Sequence, residues 1–319
     1  MNKLRKIGLS ALAGSLATFS ANAADFSVSG GASITFDDPN RGFSDRGNGF
    51  YMGDSLTFAA SGETDGGMGV AVSYELDGTA AIDDMSITLS GDWGSMLFDG
   101  HGGSSAFSAM DDKMPNAYEE SWDVIDTNGA TAGGTPTLIN GNAGNNMFVY
   151  STPSMGGAVA QVSYLNHGGA DANESYMDFA ITVTPEAVEG LTLGFANADN
   201  TVGPNRDQDE TTYYATYAIG AATVGVQASD LDDTTANSDL ESIGYGVTYA
   251  VNDDFSIGYH YHELETEVTT DQDQESTGVS FSYTMGGMTL GGAMNEVDNM
   301  DGVATGDYEG YEFNLKFAF

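Results

Sequence analysis

Asp111, Asp112, Glu119, Glu120, Asp123 and Asp126, with Lys113 as their one basic neighbour, fall within residues 101–146. Clustered carboxylates supply the oxygen ligands that a hard divalent cation takes, so calcium could sit at Asp111, Asp112, Glu119 and Glu120. The acidic runs at 207–210, 230–233 and 271–275 could do the same. None of them follows the EF-hand spacing, with glycine sixth and glutamate twelfth, and a solvated acidic loop is the plainer reading of each. His260 and His262 are two residues apart, so on a strand they share a face. That pair could bind a transition metal, although two histidines facing water is the simpler reading.

Catalysis finds no support in these residues. The chain has no Cys and four His, so thiolate chemistry is excluded. No G-x-S-x-G elbow occurs, and the loop carboxylates are too numerous to single out a glycosidase pair. The expectation is therefore a protein that is not an enzyme and has no cofactor, calcium apart.

Lys and Arg total 8 against 47 Asp and Glu, giving a formal net charge of −39. Charged residues make up only 17% of the chain, below the ~25% usual in soluble domains, so the imbalance comes from missing bases. A chain so poor in Lys and Arg cannot release counterions from a phosphate backbone, which excludes nucleic acid as a partner. Hydrophobic residues at 40% and aromatics at 11% argue against an acidic disordered chain. Residues 1–23 stand apart from the rest. Lys3, Arg5 and Lys6 precede an apolar stretch that ends in Ala21-Asn22-Ala23, the pattern of a secretory signal cut after Ala23. The expected organisation is thus a signal peptide over 1–23 and one domain over 24–319.

The elements that must position the acids are strands. Phe26, Val28, Ala32, Ile34 and Phe36 alternate with small polar residues. So do Val70/Val72/Tyr74, Met177/Phe179/Ile181/Val183, Tyr245/Val247/Tyr249 and Phe313/Leu315/Phe317/Phe319. Side chains on a strand alternate between its two faces, so each such run is apolar on one face and polar on the other. Connections also alternate. Tight Gly-rich turns are expected at 64–67, 91–94, 153–157, 185–190, 220–221, 252–254 and 285–287. Longer acidic loops are expected at 37–50, 77–83, 101–146, 167–175, 198–211, 230–239, 263–275 and 295–307. Seven turns and eight loops join sixteen strands. These run roughly 8–12 residues, against the ~9–11 a tilted strand needs to cross a bilayer. An apolar face edged by aromatics, a small polar face, and loops that are short at one end and long at the other predict a sixteen-stranded antiparallel transmembrane β-barrel. Its lumen is too wide for side chains to fill, so it should hold water.

The chain resembles the general porins of Gram-negative outer membranes, most closely the alphaproteobacterial, Rhodobacter-like group. The resemblance runs from Ala24–Gly30 to Asn314–Phe319 and rests chiefly on the last strand, where Tyr311, Phe313, Leu315, Phe317 and the terminal Phe319 alternate. In such proteins that pattern looks like the signal read by the outer-membrane assembly machinery. The resemblance implies a homotrimer in contact with outer-membrane lipid and lipopolysaccharide, through which small hydrophilic solutes diffuse passively. It also implies a third long loop folded into the lumen, here 101–146, with Asp111, Asp112, Lys113, Glu119, Glu120, Asp123 and Asp126 at the pore constriction. Family members often oppose these acids with a cluster of arginines. Here only Arg41 and Arg46 in the first loop could take that place, while Arg206 and Lys316 lie elsewhere. A negative lumen concentrates cations, so cation selectivity is the expectation. The runner-up is a sugar-type, substrate-specific porin using Tyr118 and Trp122. A secreted calcium-binding adhesin or lectin sandwich is the alternative outside the channels.

Overall fold

The computed structural model describes residues 25–39, 49–78, 81–123, 138–142, 144–166, 175–203, 206–236, 238–267, 272–304 and 306–319. The signal segment 1–23, Arg41, Arg46 and Asp126 lie outside the described residues.

The strands are β1 (Asp25–Pro39), β2 (Phe50–Glu63), β3 (Gly69–Asp77), β4 (Ala81–Gly91), β5 (Gly94–His101), β6 (Met147–Ser151), β7 (Ala158–Leu165) and β8 (Tyr176–Val183). They continue as β9 (Leu191–Gly203), β10 (Arg206–Ile219), β11 (Ala222–Asp233), β12 (Leu240–Ala250), β13 (Phe255–Thr266), β14 (Gln274–Met285), β15 (Met288–Asp298) and β16 (Tyr308–Ala318). Each pairs antiparallel with its sequence neighbours, and β1 closes on β16. At the seam, Gly30 N–H donates to the Phe319 carbonyl at 2.9 Å and Phe319 N–H returns the bond to Gly30 at 3.0 Å. Closure leaves no sheet edge, which is what permits strands to sit in hydrocarbon.

The faces sort as the alternation requires. Val224, Val226, Tyr245, Val247, Phe179, Phe195, Leu193 and Tyr259 are exposed on the outside. Ala180, Ala196, Thr212, Gln227, Ser229, His260 and Ser276 are buried on the inside. Aromatic contacts tie neighbouring strands on the outer face, as in Phe36–Phe50 and Phe98–Phe148, each with centroids 4.7 Å apart.

All seven tight turns fall where the sequence places them. The loop expected over 198–211 does not form. β9 runs on to Gly203 and β10 starts at Arg206, with Gln208 opposite Asn200 and Glu210 opposite Ala198. Beyond the bilayer both strand faces meet water or loop, so polar composition stops marking where a strand ends. The loop over 77–83 shortens for the same reason, with β3 ending at Asp77 and β4 starting at Ala81. Strand lengths spread from 5 residues in β6 to 15 in β1.

An Arg at Val226, five residues into β11 on the outer face, is expected to cost about 2–4 kcal/mol of folding free energy in a bilayer. Urea titration in lipid vesicles measures this. Thr192→Arg, on the inner face of β9, is expected to change stability by no more than about 0.5 kcal/mol.

Candidate functional site within the barrel lumen

The described parts of the connection from β5 to β6, residues 102–123 and 138–142 among them, enter the barrel and lie along its inner wall, which holds them at several points. Ala106 N–H donates to Ser163 Oγ on β7 at 2.7 Å, and Phe107 N–H to Asp178 Oδ2 on β8 at 2.8 Å. Phe107 and Met110 are buried there with Met147, Leu165 and Tyr176. Gln227 on β11 then clamps the chain. Its Nε2 donates to the carbonyls of Met110 and Asp111 at 2.7 and 2.9 Å, and its Oε1 accepts from Lys113 N–H at 2.9 Å. Further on, Ala117 N–H donates to Ser280 Oγ on β14 at 3.1 Å, and the Tyr118 hydroxyl donates to Glu312 on β16. Asn295 Nδ2 on β15 donates to the Glu120 carbonyl at 2.8 Å, and the returning limb is held by Gly141 N–H to Glu210 Oε2 at 2.8 Å.

This approach is possible because the wall is bare. Gly225, Gly244, Gly246, Gly258, Gly278 and Gly291 lie on the inner faces of β11 to β15. A Cβ on Gly246 would stand 2.5 Å from the Pro115 carbonyl oxygen, and one on Gly258 would stand 2.7 Å from the Ala117 nitrogen. At Gly291 the Tyr118 ring fills the place a Cβ would take.

Among the described residues the loop carboxyls face one another, with Lys113 as the positive charge acting on Asp111. Burial first, and then Glu120, hold Asp112 up to about 8. Burial and the contact with Glu120 also hold Asp123 up to about 8. Glu120 goes the other way. Burial works against its ionised form, but hydrogen bonds from Asp123, Asp112 and Asn116 outweigh that and lower its pKa. Burial lifts Asp111 to about 7 against the pull of Lys113. Burial and then the Glu312 charge lift Glu119 to about 8. The Tyr118 hydroxyl is driven up by burial and by its bond to Glu312. A carboxylate trio thus shares protons around an ionised Glu120, beside a Glu119–Glu312–Tyr118 group.

Among the described residues no three or more His, Cys, Asp or Glu are placed to hold a metal ion. Arg206 is engaged at the outer end of β10, where its guanidinium grips Asp233 at 2.7 Å. His260 and His262 do point inward from β13, but they do not face open water. Trp122 covers both, with ring centroids at 5.0 and 4.7 Å, and the histidines are 2% and 8% exposed. Ser121 N–H donates to His260 Nδ1 at 3.2 Å, which places the His260 proton on Nε2. The spacing of the pair predicted a shared face; only the folded loop supplies the cover. Gln227, Glu312 and Asn295 went unrecognised in the sequence, though each alternates with outward apolar residues such as Val226, Tyr311 and Met294.

Comparison with known proteins agrees with this geometry. The family model described as Gram-negative porin matches residues 8–301. No curated protein matches the chain. Among solved structures, the chain is similar to an anion-selective porin from Comamonas acidovorans (15% identity, TM-score 0.67, covering 93% of this chain and 100% of that one). It is similar to the trimer form of OmpT of Vibrio cholerae (12% identity, TM-score 0.68, covering 93% and 100%). It is similar to a mutant of Rh. blastica porin (14% identity, TM-score 0.62, covering 92% and 100%). At these identities the likeness is one of fold.

Gly246→Val places branched carbon where the Pro115 backbone runs, and such overpacking costs about 1–3 kcal/mol. The expected result is a closed barrel, read by heat-modifiable gel migration, whose loop is cleaved faster by protease and whose single-channel current is noisier. Unchanged loop protection would show that the glycine wall does not hold the loop.

Proposed function

The chain belongs to the Gram-negative porin family and is a multi-pass outer-membrane channel, and from that premise we propose that it passes cations and small hydrophilic solutes by passive diffusion, with cations preferred. The observation that carries the preference is the loop between β5 and β6. Asp111, Asp112, Glu119, Glu120 and Asp123 sit on it inside the lumen, and Lys113 is the base beside them. In this reading the loop is the constriction, where ionised Glu120, joined by its neighbours as they lose their protons, raises the local cation concentration in a low-dielectric passage. The preference does not come with the fold, since a porin of the same fold is described as anion-selective. It comes from the side chains this loop carries.

Further parts of the reading rest on the same premise. Residues 1–23 serve as the signal for export, and the alternating last strand, ending at Phe319, addresses the barrel to the assembly machinery. A homotrimer is supported by the short wall of β5 to β8, at 8, 5, 8 and 8 residues. Strands below the ~9–11 residues needed to span hydrocarbon call for protein cover in place of lipid. The neighbour from Vibrio cholerae is described in a trimer form. The rest of the outer surface would meet lipid and lipopolysaccharide. General diffusion is preferred over a sugar-type channel because Tyr118 is packed on Gly291 and bonded to Glu312. It offers no free aromatic track.

Reversal potentials across a KCl gradient test this reading. The expected sign is cation-selective, and a permeability ratio favouring chloride would overturn it. The pKa directions add a pH dependence. Asp111, Asp112, Glu119 and Asp123 bind their protons more tightly in the folded protein than in the unfolded chain. Between the ordinary carboxyl pKa near ~4 and the folded values, the folded protein holds more protons, so their contribution to stability falls as pH rises through that window. Over the same window the loop gains negative charge. Cation selectivity is therefore expected to strengthen from pH 6 to pH 9, while the loop becomes less firmly docked.

A further inference from the structure

Between the outgoing limb of the loop and the wall of β11 to β13 lies a cavity of about 250 Å³. Its lining brings together Asp111, Asp112, Glu120, Trp122, Asp123 and His262. Two buried atoms there have no hydrogen-bond partner among the described residues, Asp112 Oδ1 and His262 Nδ1. His262 is 8% exposed, so water at the open surface does not satisfy it. A buried polar atom without a partner is uncommon and costly, and two on one cavity point to something that fills it.

The chemistry of the lining selects the occupant. Asp112 Oδ1 accepts hydrogen bonds, and neutral His262 accepts at Nδ1 when its proton is on Nε2. Carboxyls supply the counter-charge, and an indole attracts an organic cation through its π face. Calcium takes a shell of oxygens and has no use for an imidazole nitrogen or an indole. A cation that carries N–H donors uses all three. A cavity of ~150 Å³ holds a benzene-sized molecule, so 250 Å³ admits a guanidinium head with a short carbon stem.

We propose that this cavity is a subsite for organic cations bearing a guanidinium or primary ammonium group, which bind there as they pass. The inference deepens the channel reading and rests on it. A bound cation would hold neighbouring carboxyls ionised, lowering the raised pKa values of Asp112 and Asp123. It would also pin the outgoing limb to Leu138, Ile139 and Asn140 of the returning limb, which line the same cavity.

The chain has two Trp. Trp93 lies at the β4–β5 turn, stacked on Tyr150 at 6.1 Å, so Trp93→Phe leaves Trp122 as the reporter. Detergent-solubilised protein is titrated at constant ionic strength with methylguanidinium, with tetramethylammonium, which has charge but no N–H, and with neutral urea. A saturable change in Trp122 fluorescence with methylguanidinium alone is expected, together with a concentration-dependent block of single-channel current. In Asp112→Asn and His262→Leu proteins the apparent affinity should fall roughly tenfold or more. An equal response to tetramethylammonium or urea, no saturation, or unchanged affinity in the variants overturns the subsite. The comparison of ligands on the wild-type lumen decides the matter even where a variant does not fold. Reversal potentials stay independent of these results, so cation preference can stand while the subsite falls.

Discussion

A peptide chain can lie against the inside of a barrel only where the wall leaves room for its backbone and offers partners for its polar groups. β11 to β15 do both. Glycines at 225, 244, 246, 258, 278 and 291 bring the loop within backbone distance, and Gln227, Ser280 and Asn295 then reach its N–H and C=O groups. A buried backbone without such partners would cost a few kcal/mol for each orphaned group. Everything inside the lumen follows from that fit: where the carboxyls stand, what covers the two histidines, and how much of the cross-section stays open. The same strands show a lipid-facing surface that is aromatic and β-branched, as in Tyr245 and Val247 beside Gly244 and Gly246. One strand thus satisfies hydrocarbon on one side and a polypeptide on the other.

The electrostatics follow from what the chain lacks. With 8 Lys and Arg in 319 residues, buried carboxyls have few cations to pair with. They take the remaining route, which is to share protons. Asp112 and Asp123 stay protonated far above the ordinary carboxyl range so that Glu120 can ionise between them. A site arranged in this way is poised to respond both to pH and to arriving positive charge.

Much of this was legible in the sequence because membrane strands obey a period of two over most of their length. Alternation placed sixteen strands and all seven tight turns, and the long segment after β5 marked itself by length and acidity. It failed at 198–211, where polar residues continue a ladder above the bilayer and composition no longer reports structure. It also failed at His260 and His262. Their face was readable from the spacing, while their burial depends on Trp122 arriving from more than a hundred residues away. Gln227 and Glu312 were readable in principle, since each alternates with lipid-facing neighbours. The glycine wall was visible as Gly-Tyr-Gly at 244–246, but its purpose needs the loop in place.

The sorting of side chains between lipid and water is tested most directly by thiol accessibility, since the chain contains no Cys. Single cysteines at Thr192, Thr223 and Thr289, on the inner faces of β9, β11 and β15, would be compared with cysteines at Leu193, Val224 and Leu290, their outward neighbours. In lipid vesicles, a charged membrane-impermeant thiol reagent should modify the first three and spare the second three. Equal labelling of both sets, or labelling of the Leu and Val positions alone, would contradict a water-filled lumen inside an apolar wall.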